Sequence, residues 1–76
     1  MKIKNPKLVE VEWVDIFATC GWEKLDEVVS PSFYTYGYMV YKDKDTIKVA
    51  CTKDENGDWF ATHAFPRGCI KKIRPL

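Results

Sequence analysis

The chain has one histidine, His63, and three cysteines without a Cys-x-x-Cys pair in 76 residues. One histidine provides neither a cluster for a metal ion nor a choice of base for a catalytic triad. Phosphate-binding glycine motifs and the Gly-x-Ser-x-Gly motif are missing as well. The sequence therefore predicts a non-enzymatic protein with no cofactor, no metal site and no catalytic residues, in which His63 is a structural or surface side chain.

The cysteine pattern predicts thiols rather than disulfide bonds. Cys20, Cys51 and Cys69 are odd in number and widely spaced, so we expect reduced and mostly buried side chains. Cys20 is the first choice for a reactive or intersubunit thiol, because it falls in a predicted loop.

Long apolar runs are also missing. No segment approaches the length that crosses a bilayer, and the first ten residues lack a signal-peptide core. We therefore expect a cytoplasmic protein without a membrane partner. The length allows one small domain over residues 1–76, in which residues 1–6 are expected to be flexible.

Charge is nearly balanced overall but segregated along the chain. Twelve basic residues against eleven acidic ones leave a net charge of +1, which is less basic than a typical polyanion-binding protein. Acidic residues dominate segment 10–27, and basic residues dominate both ends. The two ends form one basic patch only if folding brings the termini together.

Hydrophobic alternation and turn residues predict five strands. The stretch "KLVEVEWVD" alternates apolar and acidic residues, which indicates a strand over residues 7–15. Residues 16–32 predict an ordered loop with at most one helical turn, pinned by Phe17, Trp22 and Leu25. Segments rich in β-forming residues predict the other strands at 35–41, 46–52, 59–65 and 69–73. Their connections include a charged turn at 42–45 and the Asn56-Gly57 turn.

These elements predict a mainly β fold, a small five-stranded and strongly bent antiparallel barrel. Closure removes the exposed sheet edges of so short a chain. The order of these elements resembles the Src-homology-3 barrel: a strand, a long loop, a three-strand meander, a proline corner and a short strand. The segment "DWFATHAFPRGCIKKI" carries that resemblance. The acidic ligand loop and paired tyrosines of that family cannot be located in this sequence.

The hairpin of the second and third strands predicts which aromatic side chains are exposed. With a turn at residues 43–44, the inward pairs are Tyr36–Cys51, Tyr38–Val49 and Val40–Ile47. Phe33, Met39 and Tyr41 then form a cluster on the outer face beside Lys48. Three uses of this cluster stay open: cover by the long loop, contact between copies, and a partner or ligand site.

Two tryptophans and the basic C-terminus complete the candidate binding residues. Trp13 and Trp22 can line a ligand groove at the barrel mouth or close the barrel end as part of the core. Small barrels also bind single-stranded nucleic acid by stacking bases on exposed aromatics above a basic groove. Arg67, Lys71 and Lys72 would provide the charge for an anionic ligand.

Three segments resemble small proteins encoded in tailed-bacteriophage genomes: "VEWVDIFATCGWEKLDEV", "GYMVYKDKDTIKVACT" and "FPRGCIKKIRPL". The shared pattern is W-x-D, a later Gly-Trp, a Gly-aromatic-aliphatic strand and a closing P-x-x-x-I-x-x-I, over most of residues 9–76. That group has no assigned activity, so the resemblance implies only an accessory protein that acts by binding in the cytoplasm of an infected bacterium.

The resulting functional hypothesis is a self-associating protein that binds a host or phage protein. The alternative is a binder of nucleotides or single-stranded nucleic acid, which includes sequestration of a nucleotide defence signal. The candidate contact residues are Trp13, Trp22, Phe33, Met39, Tyr41, Arg67, Lys71 and Lys72.

Overall fold

Five antiparallel strands form a single sheet in the computed structural model, which describes residues 1–16, 18 and 21–76. The strands are β1 (Leu8–Val14), β2 (Ser32–Lys42), β3 (Thr46–Lys53), β4 (Trp59–Pro66) and β5 (Ile70–Pro75), in the order β4-β3-β2-β1-β5. Single 3₁₀ turns lie at Leu25–Glu27 and Arg67–Cys69. The mainly β, five-stranded antiparallel prediction is confirmed. Two residues given roles above, Phe17 and Cys20, lie outside the described residues.

One face of the sheet carries the hydrophobic core and curls onto itself. Strands β1 and β4 are three positions apart in the sheet, which is about 14 Å when a sheet is flat. The rings of Trp13 on β1 and Phe65 on β4 are nevertheless only 5.4 Å apart. No pairing joins β4 to β5 among the described residues, so closure into a barrel stays a prediction. The buried core side chains are Val9, Val11, Ile47, Val49 and Phe65.

A glycine allows β2 and β3 to approach closely at the centre of this core. Gly37 is buried, and a Cβ atom at this position would lie 2.7 Å from Val49 Cγ1 and 2.9 Å from the carbonyl oxygen of Ala50. Ordinary carbon contacts are near 3.5–4.0 Å, so no larger side chain fits without moving β3.

The predicted register between β2 and β3 is wrong. Tyr38 pairs with Ala50 and Met39 pairs with Val49, and the register then shifts before Tyr41. This irregularity adds one residue to β2 opposite β3, which is the geometry of a β-bulge. A shift of one residue exchanges the two faces of a strand, so the predicted faces of β2 are exchanged as far as Met39, whereas Ile47 and Val49 on β3 are buried as predicted.

The observed register changes which aromatic side chains of β2 are exposed. Tyr36 and Tyr38, predicted to face inward, are 56% and 38% exposed, and Cys51 is exposed as well. Met39, predicted to face outward, packs against the core cluster. Phe33 also lies on the core side, where its ring contacts a core-packed tryptophan. The observed outer face of β2 is therefore a row of tyrosines.

Both predicted tight turns are confirmed. Asp43 closes the β2–β3 turn, because its carboxylate accepts the backbone N–H of Asp45 at 2.8 Å and of Thr46 at 2.7 Å. In the β3–β4 turn, Gly57 has a φ of 88°, a left-handed conformation that glycine adopts without steric cost. The Asp54 side chain caps this second turn by accepting two backbone N–H groups.

The first residues of the chain add a short strand-like segment beside β2. The N–H of Ile3 donates to the Val40 carbonyl at 2.9 Å, and the N–H of Lys42 donates to the Met1 carbonyl at 3.0 Å. This pairing brings the N-terminal lysines onto the sheet. The expected flexibility of residues 1–6 stays a prediction.

The long loop between β1 and β2 does not pack on the sheet through its two described anchors. Trp22 is 104% exposed and Leu25 is 92% exposed, so the prediction that they pin the loop is wrong. The ends of the loop meet where the N–H of Asp15 donates to the Pro31 carbonyl at 3.2 Å. The loop sequence offers these side chains few apolar neighbours, since residues 23–27 are mostly charged.

Candidate functional site

Trp59 stands between two shallow clefts on the outer surface of the sheet. It is the first residue of β4 and follows the Asn56-Gly57 turn closely, so the turn determines where its ring emerges. The ring lies 5.4 Å from the ring of Tyr38, and the Lys53 ammonium lies 5.3 Å from its centroid. The ring is half-buried and has aromatic and cationic neighbours.

The first cleft lies between Trp59 and the N-terminal segment and has a volume of about 560 Å³. Tyr41 forms part of its wall, with the Lys48 ammonium 4.4 Å from the ring centroid. Its lining consists of Lys2, Ile3, Val40, Tyr41, Lys48, Gly57, Asp58, Trp59 and Thr62.

The second cleft lies on the other side of Trp59 and has a volume of about 620 Å³. The segment "KNPK" forms one wall and is held in place by the N–H of Met39, which donates to the Lys7 carbonyl at 3.0 Å. The lining consists of Lys4, Asn5, Pro6, Lys7, Tyr38, Cys51, Lys53 and Trp59.

The two clefts together form a strongly basic surface, which we call the Trp59 face. Five lysines line them against one acidic side chain, Asp58. Within the described residues, none of these lysines makes a salt bridge with a carboxylate. Ammonium groups without carboxylate partners beside partly exposed aromatic rings suit a ligand that is both flat and anionic. The lysines are Lys2, Lys4, Lys7, Lys48 and Lys53.

By contrast, two charges of the basic C-terminus are engaged in ion pairs. Arg74 bridges Glu10 at 2.8 Å and Glu12 at 2.6 Å, and the Lys71 ammonium lies 3.4 Å from Glu12. The hydrogen bond from Arg74 holds the pKa of Glu12 below its ordinary value. The predicted anion-binding contribution of Lys71 therefore competes with an existing carboxylate partner.

The remaining predicted basic residues lie apart from the Trp59 face. Arg67 donates its Nε–H to the Asp43 carbonyl at 2.6 Å, which ties the end of β4 to the β2–β3 turn. Lys72 is exposed on β5 and pairs through the backbone register with Glu12. Neither Arg67 nor Lys72 lines either cleft.

Most of the predicted aromatic contacts are also elsewhere. Trp13 donates its Nε1–H to Thr35 Oγ1 at 2.9 Å, and its ring contacts Phe33 at 5.0 Å, so it packs as part of the core. Trp22 is fully exposed in the loop. Of the eight predicted binding residues, Tyr41 alone lines a cleft of the Trp59 face.

The sequence contained two signals for this face. Lys2, Lys4 and Lys7 form a cluster at the N-terminus, and Trp59 opens the fourth predicted strand. Their proximity depends on the hydrogen bonds between residues 1–7 and β2, which no local pattern reveals. The lysine cluster and the tryptophan were therefore both visible in the sequence, but their proximity was not.

A second exposed feature lies on the outer face of β2 next to β1. Tyr34 and Tyr36 are 53% and 56% exposed and pair through the backbone with Glu12 and Glu10. A hydrogen bond with Glu10 raises the pKa of Tyr36, because the neutral phenol donates to the carboxylate. The two carboxylates beside this tyrosine row are paired with Arg74 and Lys71, so its surroundings are balanced in charge, unlike the Trp59 face.

The reactive side chains do not form a catalytic cluster in the described part of the chain. His63 is exposed and stacks on Phe65 at 5.9 Å, while Cys51 and Cys69 are free thiols. The expectation of mostly buried cysteines is wrong for Cys51, which is exposed. Across residues 1–16, 18 and 21–76, no three metal-ligating side chains come together and no helix is long and apolar enough to span a bilayer.

No protein-family model, curated protein or solved structure matches this chain.

Proposed function

We propose that the protein binds single-stranded nucleic acid on the Trp59 face. The observation that supports this proposal is the combination of a half-buried tryptophan, two flanking clefts and five lysines without salt bridges. Proteins that bind single strands combine a basic path for the backbone with aromatic rings on which bases stack.

The arrangement assigns a role to each group of side chains. A base stacks on Trp59, and neighbouring bases enter the clefts on its two sides, against Tyr41 or Tyr38. Lysine side chains are flexible, so the ammonium groups of Lys48 and Lys53 can move from the aromatic rings that they contact to nearby phosphates. Binding is then tolerant of sequence, because every base offers a flat face.

The test measures fluorescence anisotropy of a labelled oligo-dT with about eight nucleotides, within the site sizes of small single-strand binders. We expect Lys53→Glu to weaken binding strongly, and Lys72→Glu on β5 to have little effect. The two variants change charge equally, so they separate the Trp59 face from overall charge. If three to five lysines contact phosphates, log K should fall with log salt with a slope of about −2 to −3.5.

Two outcomes would contradict the proposal. One is no binding of the oligonucleotide at low salt, and the other is equal loss in the Lys53→Glu and Lys72→Glu proteins. Binding of mononucleotides as tight as that of the oligonucleotide would replace it by nucleotide sequestration, which shares the aromatic and phosphate chemistry.

A protein partner, from the host or from a phage, is the second candidate function. Its supporting observation is the exposed tyrosine row of Tyr34 and Tyr36, since tyrosine is enriched at protein interfaces. Cross-linking in bacterial cells, read by mass spectrometry, should give protein adducts that Trp59→Ala retains and Tyr36→Lys loses. Adducts that survive Tyr36→Lys would contradict this candidate.

We also propose a closer description of the fold and a biological setting for the protein. The strand order and the single 3₁₀ turn between β4 and β5 support a small Src-homology-3-like barrel. A phage-encoded accessory protein in the bacterial cytoplasm, acting by binding without catalysis, is the setting we propose for it. Single-stranded nucleic acid is a ligand that such a setting provides.

A further inference from the structure

The outer edge of the sheet is formed by β4, a strand without charge. From Trp59 to Pro66 the sequence "WFATHAFP" contains no acidic or basic side chain other than the single histidine. Among the described residues β4 pairs with β3 alone, which leaves backbone N–H and C=O groups on its other side without a described strand partner. Residues 60–64 are exposed, and Phe60 is 53% exposed.

The opposite edge has the protection that β4 lacks. β5 carries Lys71, Lys72 and Arg74 and ends in Pro75, and such charges and prolines discourage pairing with another strand. On β4 the protection is limited to a local distortion at Ala61, whose φ is 54°, and to Pro66 at its end. The regular part available for pairing is thus residues 62–65.

We propose that β4 pairs antiparallel with β4 of a second copy of this chain, which joins two five-stranded sheets across a two-fold axis. The lack of charged side chains on β4 favours a second copy of β4 as the strand that pairs with it. In an antiparallel pair of identical strands related by a two-fold axis, each residue lies opposite a residue of the same short segment, and like charges that face each other there are destabilising. β4 against β4 is neutral, whereas β5 against β5 would oppose three cationic side chains. β4 also carries Trp59 and Thr62, which line the first cleft, so the interface is measured in the absence of nucleic acid.

The test is the mass of the full chain by light scattering at several concentrations. We expect twice the monomer mass of 8.9 kDa for the natural sequence. Thr62→Lys places a charge in the pairing segment and should weaken the dimer by at least about tenfold, since each 1.4 kcal/mol changes an equilibrium constant tenfold. Thr52→Lys on β3 is the matched control, because Thr52 is also exposed but lies on an interior strand.

Circular dichroism confirms that each variant is folded, and Ala64→Lys serves as a second variant if Thr62→Lys does not fold. A monomeric natural protein at high micromolar concentration would overturn the proposal. So would a dimer that tolerates both β4 lysines, or one that Thr52→Lys disrupts equally.

Discussion

Replacing Trp59 with alanine should weaken oligo-dT binding by removing one stacking platform. The centroid of the Tyr38 ring lies 5.4 Å from that of the Trp59 ring, so Tyr38 occupies one side of it and we count one stacked base for Trp59. Base stacking on an aromatic side chain contributes about 1–3 kcal/mol, which corresponds to roughly 5- to 150-fold in affinity. Fluorescence anisotropy at low salt, with the labelled oligonucleotide at fixed concentration, measures this change directly.

The matched control for this prediction is Trp22→Ala. Trp22 is the same residue type, is fully exposed and lies in the long loop away from both clefts, so its removal should change the affinity less than about twofold. Trp59→Phe keeps a ring and should lose less affinity than Trp59→Ala. It also guards against a folding defect, because it preserves an aromatic contact with Tyr38.

Two results would refute the reasoning. An unchanged affinity in Trp59→Ala would mean that the ring is not a stacking platform. An equal loss of affinity in Trp22→Ala would mean that the oligonucleotide binds aromatic residues in general or binds the long loop.

Two further predictions concern the fold. Gly37→Ala should lower the free energy of unfolding by about 1–3 kcal/mol in urea denaturation, because its Cβ would lie 2.7 Å from Val49 Cγ1. Gly68→Ala is the control, since a Cβ there has nothing within 4 Å, and it should change the free energy of unfolding by less than about 0.5 kcal/mol. Equal effects of the two alanines would contradict the close approach of β2 and β3. The pKa of Asp43 is lowered from 3.8 by the hydrogen bond from the Tyr41 hydroxyl and by two backbone N–H groups. The unfolded chain therefore takes up the proton first, so this group stabilises the fold at neutral pH and the contribution disappears as pH falls through the folded pKa. Thermal unfolding followed from neutral pH to below pH 3.8 should lose stability less steeply in Asp43→Asn, and parallel curves would contradict this assignment.

The sequence predicted the elements of this fold better than their lateral arrangement. Strand β1 was predictable because Val9 and Val11 alternate with acidic residues over its length. The β3–β4 turn was predictable because Gly57 must adopt a positive φ. These signals are local, and each one depends on a few neighbouring residues.

The faces of β2 were predicted wrongly because a bulge is not visible in local composition. Val40 is as good a strand residue as its neighbours, yet the register shifts between Met39 and Tyr41. Side chains alternate with a period of two, so a register that omits the extra residue predicts the wrong face for Tyr36 and Tyr38. Two members of the predicted outer cluster, Phe33 and Met39, therefore lie on the core side, whereas Tyr41 lines a cleft of the Trp59 face.

By itself the sequence determined the fold class, the turns and the shortage of catalytic side chains, because these depend on residue type and short-range periodicity. Only the tertiary structure decided which residues meet at the surface. The N-terminal segment pairs with β2 and carries its lysines to Trp59, while Arg74 and Lys71 meet Glu10 and Glu12. Both outcomes depend on contacts between residues more than thirty positions apart. The backbone hydrogen bonds that align these segments can form whatever side chains the residues carry, so residue type does not reveal them.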